Sequence, residues 1–111
     1  MTGGWITRAD RSRWQQRAAG ELASILSAHA GIPVLAWTVP ASGGALAGRV
    51  LAPGAGRREL FRQWQQALGL EEVTETLSAG GTAVHPHARG VCGGVTVSIA
   101  ATVFDDEEDG R

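Results

Sequence analysis

The chain has 111 residues, of which 43% are hydrophobic and 19% are charged, and its formal net charge is −1. This length suits one folded domain, and the composition is too apolar for an intrinsically disordered protein. The single cysteine, Cys92, excludes an intramolecular disulfide framework. No apolar stretch approaches the roughly 20 residues that cross a bilayer, and the first residues carry no secretion signal, so we expect a cytoplasmic protein that does not enter a membrane.

The first predicted element is an amphipathic helix over residues 8–30. Thr7 and Asp10 have the spacing of a capping box at its start, and Gly31 followed by Pro33 is typical of a helix end. Apolar residues recur at intervals of three and four, which places them on one helix face. The residues of this face are Trp14, Ala18, Leu22, Ile25, Leu26 and His29.

Two strands are predicted next, at residues 34–39 and 45–51. Apolar side chains alternate in the first of them, as in a strand that is buried on one side. Gly43-Gly44 between the strands tolerates the positive φ angles of a tight turn. A second helix is predicted over residues 57–68, and Gly69 is typical of its end.

Three further strands are predicted, at residues 71–77, 82–88 and 94–104. The connection between the last two is placed at residues 89–94, and Pro86 indicates that its strand is an edge strand or irregular. The final strand alternates most clearly, with valine, isoleucine and alanine on the inward side. Its outward side chains are Thr96, Ser98, Ala100 and Thr102.

These elements predict an α+β fold in the order α-β-β-α-β-β-β. We expect a five-stranded, mainly antiparallel sheet with both helices on one face. Residues 1–104 are expected to form a single domain in which residues 1–7 are flexible. Residues 105–111 are expected to be a disordered acidic tail, because the five adjacent acids at 105–109 repel one another and bury nothing.

Four short segments resemble those of a known group of proteins. They are Ala36-Trp37-Thr38-Val39, Gly48-Arg49-Val50, Trp64 to Leu70, and Val95 to Val103 before Asp105-Asp106. The chain resembles short uncharacterised α+β proteins of high-GC actinobacteria, which often occur beside mobile elements. The resemblance covers most of residues 14–107 and implies no activity, cofactor or site residue.

The leading hypothesis is a small non-enzymatic domain that binds a protein partner or forms a homodimer. It is also a candidate accessory factor of a mobile element. No catalytic constellation is recognisable, and we expect no cofactor. The outward side of the last strand is small and flat, and tryptophan beside arginine is typical of interfaces. The residues predicted to contact the partner are Trp5, Trp14, Thr96, Ser98 and Thr102.

Two alternatives remain open, and each has a competing structural interpretation. In the first, the protein binds nucleic acid through arginines that contact phosphates beside tryptophans that stack on bases. A solvated helix face is the competing interpretation. The arginines concerned are Arg8, Arg11, Arg13 and Arg17.

The second alternative is metal binding. His85 and His87 share one side of a strand, and Cys92 in the following loop would add a third ligand for a metal such as zinc. The competing interpretation is a polar strand edge beside a small buried thiol.

Overall fold

The computed structural model describes residues 7–41, 43–51 and 56–104, in which two helices lie on one face of a six-stranded mixed sheet. The α+β class and both helices are confirmed. The flexibility expected for residues 1–7 and the disorder expected for residues 105–111 fall outside the described residues, except at Thr7, which caps the first helix. The elements are α1 (Arg8–Ala28), β1 (Ala36–Thr38), β2 (Ala45–Arg49), α2 (Gly56–Leu68), β3 (Glu72–Leu77), β4 (Ala83–Cys92), β5 (Val95–Ala100) and β6 (Val103–Phe104).

The start of α1 is fixed by the capping box that the sequence predicted. The Asp10 backbone N–H donates to the Thr7 hydroxyl at 3.1 Å, and the Thr7 backbone N–H donates to the Asp10 carboxylate at 3.1 Å. The bond from the Thr7 backbone N–H lowers the pKa of the Asp10 carboxyl, and the Arg13 guanidinium beside it acts in the same direction. The helix ends two residues earlier than predicted, at Ala28.

A glycine ends α2, again as predicted. Gly69 has a φ of +65°, in the left-handed region that favours glycine. The Leu70 N–H donates to the Gln65 carbonyl at 3.0 Å and the Gly69 N–H to the Gln66 carbonyl at 3.2 Å. This pair of bonds is a Schellman motif, which satisfies carbonyl groups that the end of a helix leaves without partners.

The strand order is β1-β2-β5-β4-β3, with β6 also paired to β4. The β1–β2, β3–β4 and β4–β5 pairs are antiparallel, as expected, but β2 and β5 run parallel. Between these two strands the chain passes through α2 and the β3–β4 hairpin. It therefore returns to the sheet in the original direction, and the sheet is mixed.

Pro86 explains why there are six strands and not the five that were predicted. β4 pairs with β5 and with β6 in one unbroken register, from Cys92↔Val95 to Ala83↔Phe104. The Pro86 carbonyl accepts a hydrogen bond from the Ala101 N–H at 3.1 Å, but proline has no N–H to return. The ladder is therefore interrupted at residues 101–102, and the final strand divides into β5 and β6.

One prediction about β4 is correct in part and another is wrong. Pro86 was expected to mark an edge strand or an irregular one: β4 lies inside the sheet, between β3 and β5, and its irregularity is the interruption of the ladder at Pro86. The connection expected at residues 89–94 is only the two-residue turn Gly93-Gly94, whose φ angles are +58° and +80°. Consecutive positive φ angles are the signature of a tight hairpin turn. Cys92 consequently belongs to the strand and not to a loop.

The helices and the inward face of the sheet form one hydrophobic core, with Trp64 of α2 at 1% exposure. Trp37 is half-buried and makes an edge-to-face contact with Trp64. Neither described helix is long and apolar enough to cross a bilayer. The remaining buried members of the core are Ala18, Ile25, Leu35, Leu46, Val50, Leu60, Phe61, Leu70, Ala88, Val95, Val97, Ile99, Ala101 and Val103.

Candidate interaction surface

The sheet has one face that neither described helix covers. Along β5 the inward residues Val95, Val97 and Ile99 are fully buried, whereas the residues between them are half-buried and point to the other side. We call this second side the open face. Its residues are Ala36, Thr38, Ala45, Ala47, Arg49, Glu72, Thr74, Thr76, Ala83, His85, His87, Arg89, Val91, Thr96, Ser98, Ala100, Thr102 and Phe104.

One part of the open face consists of small, uncharged side chains. Ala45 of β2 lies opposite Thr96 of β5, and Ala47 lies opposite Ser98. We call these four residues the neutral half. Side chains of this size leave the surface flat, so a second flat surface can approach the sheet closely.

The opposite part of the open face carries an arginine and two histidines. The Arg49 guanidinium donates to the Thr102 hydroxyl at 3.1 Å, and the His85 Nδ1 lies 3.2 Å from the same oxygen. His87 lies beside Ala100, on the same side of β4 as His85. We call Arg49, His85, His87 and Thr102 the basic half, because it combines a guanidinium group with two imidazole rings.

Arg89 borders both parts of the open face. It pairs with Ser98 on β5 and Glu72 on β3, and it lies two residues from His87 on β4. Glu72 is the single carboxylate on the open face among the residues that the structure describes. In the described part of the chain, the open face therefore carries two arginines, Arg49 and Arg89, and one carboxylate, Glu72.

Arg49 and Arg89 are components of the surface that the sequence reasoning missed. Arg89 could have been found, because it lies two residues from His87 and a continuous strand would place both on one side. Arg49 gave no such signal. Its place beside Thr102 depends on the parallel pairing of β2 with β5, which joins residues about 50 positions apart.

The structure brings some of the predicted partner-binding residues together and separates others. Thr96, Ser98 and Thr102 all lie on the open face, along one line. Trp14 is 38% exposed, but it belongs to α1 in the helical layer on the other side of the sheet. Trp5 lies outside the described residues. A surface built on the sheet face thus includes three of the five predicted residues.

The four arginines proposed for nucleic-acid binding are exposed on the first half of α1. At 3.6 residues per turn, Arg8 and Arg11 are about 60° apart and Arg13 and Arg17 about 40° apart, and the two pairs lie on roughly opposite sides. Arg13 is paired with Asp10. The arginines therefore form no single basic stripe.

The three residues proposed as metal ligands are not brought together. His85 and His87 share the open face, whereas Cys92 pairs with Val95 and lies on the helix side of β4. No cluster of three or more potential ligands occurs in the part of the chain that the structure describes.

Cys92 lies in a groove of about 250 Å³ between the ends of α1 and α2, beside Glu21 and His29. Its thiol is 3.6 Å from the Leu68 carbonyl oxygen. Burial, and after it the Glu21 carboxylate, raises the pKa of the Cys92 thiol above its ordinary value. The thiolate is the nucleophilic form of cysteine, so this environment opposes nucleophilic catalysis by Cys92.

We expect iodoacetamide to alkylate Cys92 slowly in the folded protein. At about pH 8 the rate should be at least roughly tenfold below that of the urea-unfolded chain, because less thiolate is present and access is restricted. Mass spectrometry of timed samples measures both rates. Glu21→Gln should raise the folded-state rate, and equal rates in folded and unfolded protein would contradict the environment described here.

A scan of protein-family models and searches of curated proteins and solved structures gave no match to this chain.

Proposed function

We propose that the protein is a non-enzymatic interaction domain that forms a homodimer through the open face of its sheet. The observation that carries this proposal is the neutral half, a flat group of alanine, serine and threonine side chains left uncovered by the described helices. A two-fold axis through such a group would place each small residue against a small residue of the second copy.

The size of the open face supports a dimer of modest stability. Five strands about 4.8 Å apart, with about six residues of 3.3 Å each, outline a face on the order of 500 Å². Two copies would together bury about 1,000 Å², at the lower end of specific interfaces. We therefore expect an association that depends visibly on concentration and not an obligate dimer.

A pair of serine-to-arginine variants tests the dimer. Ser98→Arg puts a long cation at the centre of the open face, where the monomer leaves it in solvent but the dimer would bury two like charges. Ser27→Arg makes the same change at an exposed position of α1. We expect Ser98→Arg to raise the dimer dissociation constant at least about 100-fold and Ser27→Arg to leave it unchanged.

Sedimentation equilibrium over protein concentrations of roughly 1 to 500 µM measures these dissociation constants. The range is chosen because an interface of this small size gives weak association. Far-UV circular dichroism verifies that both variants fold. A monomeric wild-type protein throughout this range would overturn the proposal. Equal dissociation constants for the wild type and Ser98→Arg would show that any dimer uses another surface.

Two broader features belong to the same proposal. The resemblance to proteins that occur beside mobile elements supports a role as an accessory factor of such an element. A cytoplasmic location is supported by Cys92, a free thiol in a chain that has no second cysteine to pair with it. Neither feature is needed for the dimer.

A further inference from the structure

The groove beside Cys92 lies where the C-terminal ends of both helices meet. Ile25 and Ala28 line it from the end of α1, and Ala67 and Leu68 line it from the end of α2. Cys92 points into it from the helix side of β4. The groove is therefore on the opposite side of the sheet from the surface proposed for the dimer.

The ends of the two helices make this groove electrically negative. The C-terminal end of an α-helix carries about half a negative charge, because its last carbonyl groups have no partners within the helix. Neither helix has a basic residue in its last turn to offset this charge. The described residues that line the groove include no arginine, and the chain contains no lysine.

The Glu21 carboxylate adds a further negative group to the lining. Glu21 is half-buried and reaches from α1 to the turn after β4, where a Cβ on Gly93 would overlap its carboxylate. Within the described part of the chain, this carboxylate makes no ion pair and no hydrogen bond. A carboxylate in such a position is suited to a cation that donates hydrogen bonds.

The size and the apolar lining of the groove favour an organic cation. Its volume of about 250 Å³ corresponds to about eight non-hydrogen atoms at roughly 30 Å³ each. The side chains of Ile25, Ala28, Ala67 and Leu68 offer an apolar surface to an alkyl chain. Glu21, His29 and Cys92 do not form a metal-ligand cluster in the described residues.

We propose that the groove binds a small primary ammonium compound, with its nitrogen at the Glu21 carboxylate and the two helix ends and its alkyl chain on the apolar lining. A primary ammonium group donates up to three hydrogen bonds, which carboxylate and carbonyl oxygens accept. A second copy of the chain has no lysine to supply this group. The inference goes beyond the dimer and does not require it.

The experiment titrates hexylammonium chloride into isotope-labelled protein at pH 7 and constant ionic strength, and NMR follows the backbone amide signals. 1-Hexanol is the neutral comparison, since it has the same number of non-hydrogen atoms. We expect shifts at Ile25, Ala28, Leu68 and Cys92 and a dissociation constant in the millimolar range for a ligand of this size. Hexanol should bind at least about tenfold more weakly, because it forms no charge-assisted bond to Glu21.

Two glutamate-to-glutamine variants test the position of the nitrogen. Glu21→Gln removes the charge but keeps the shape of the side chain, so hexylammonium should bind at least about tenfold more weakly and hexanol as before. Glu59→Gln makes the same change in the first turn of α2, outside the groove lining, and should leave both dissociation constants unchanged. Far-UV circular dichroism verifies that both variants fold.

Equal affinity for hexylammonium and hexanol would overturn the proposal, as would equal affinity of the wild type and Glu21→Gln for hexylammonium. No shift at the groove amides up to about 20 mM ligand, where a millimolar site is largely filled, would also overturn it. Nα-acetyl-lysine amide tests a second source of the same group. If it bound more tightly than hexylammonium, the ligand would be a lysine side chain of a partner protein and not a free amine.

The dimer variant Ser98→Arg separates this proposal from the proposed function. Ser98 lies on the open face, so Ser98→Arg should bind hexylammonium with the wild-type affinity whether or not the protein forms a dimer. A loss of hexylammonium binding in folded Ser98→Arg would contradict a site confined to the helix side.

Discussion

Trp64→Ala is expected to lower the free energy of unfolding by about 3–5 kcal/mol, the range for removing a large aromatic side chain from a core. Trp64 is 1% exposed and makes edge-to-face contacts with His29 and Trp37, at ring-centre distances of 5.9 and 5.8 Å. Its indole N–H also donates to the Pro33 carbonyl at 2.8 Å. One side chain thereby holds α2 to β1 and to the segment after α1.

Two further variants separate the parts of this effect. Trp64→Phe keeps an aromatic ring but leaves the Pro33 carbonyl without its donor, so we expect a loss of about 1–3 kcal/mol. Trp14→Ala makes the same change as Trp64→Ala at a side chain that is 38% exposed, and it should lower the stability clearly less than Trp64→Ala does. Urea unfolding followed by circular dichroism gives all three values. Equal losses for Trp64→Ala and Trp14→Ala would contradict the central position of Trp64.

The local elements could be predicted because their signals are local. The capping box at Thr7 and the glycine after α2 each involve residues within one or two helical turns. The alternation of apolar and polar residues over 95–103 likewise indicates which side of a single strand is buried. These features identified the helices, and they identified which side of β5 faces the core.

The pairing of β2 with β5 could not be predicted in the same way. It joins residues about 50 positions apart, and the two strands carry no complementary pattern that selects parallel over antiparallel pairing. The basic half depends on this pairing, because it brings Arg49 beside Thr102. A surface assembled from strands that are far apart in the sequence therefore cannot be identified without the strand order.

Pro86 and Cys92 show how one wrong boundary affects a proposed site. A buried proline inside the sheet removes only one ladder bond here, since its carbonyl still accepts from Ala101. A strand that ended at residue 88 would leave Cys92 in a loop, where its thiol could join His85 and His87 at a metal ion. In the continuous strand Cys92 comes seven positions after His85 and five after His87, and odd offsets place its side chain on the opposite face.

The second large effect is expected at the turn between β1 and β2, where Gly43 has a φ of +74° and Gly44 a φ of +71°. A Cβ at Gly43 would lie 2.7 Å from the Trp14 Cβ and 3.0 Å from the Arg11 carbonyl oxygen, but one at Gly44 would meet nothing within 4 Å. The first half of α1 therefore rests on the backbone of this turn.

Gly44→Ala should lower the free energy of unfolding by about 1–2 kcal/mol, the cost of a positive φ for a side-chain residue. Gly43→Ala has the same backbone cost, and overpacking against α1 adds about 1–3 kcal/mol. The difference between the two variants, measured by urea unfolding, isolates the close approach of α1 to the turn. Since the main-chain atoms of α1 cannot move aside without displacing the helix, we expect Gly43→Ala to be clearly the less stable protein. Equal stability would mean that α1 does not rest on this turn.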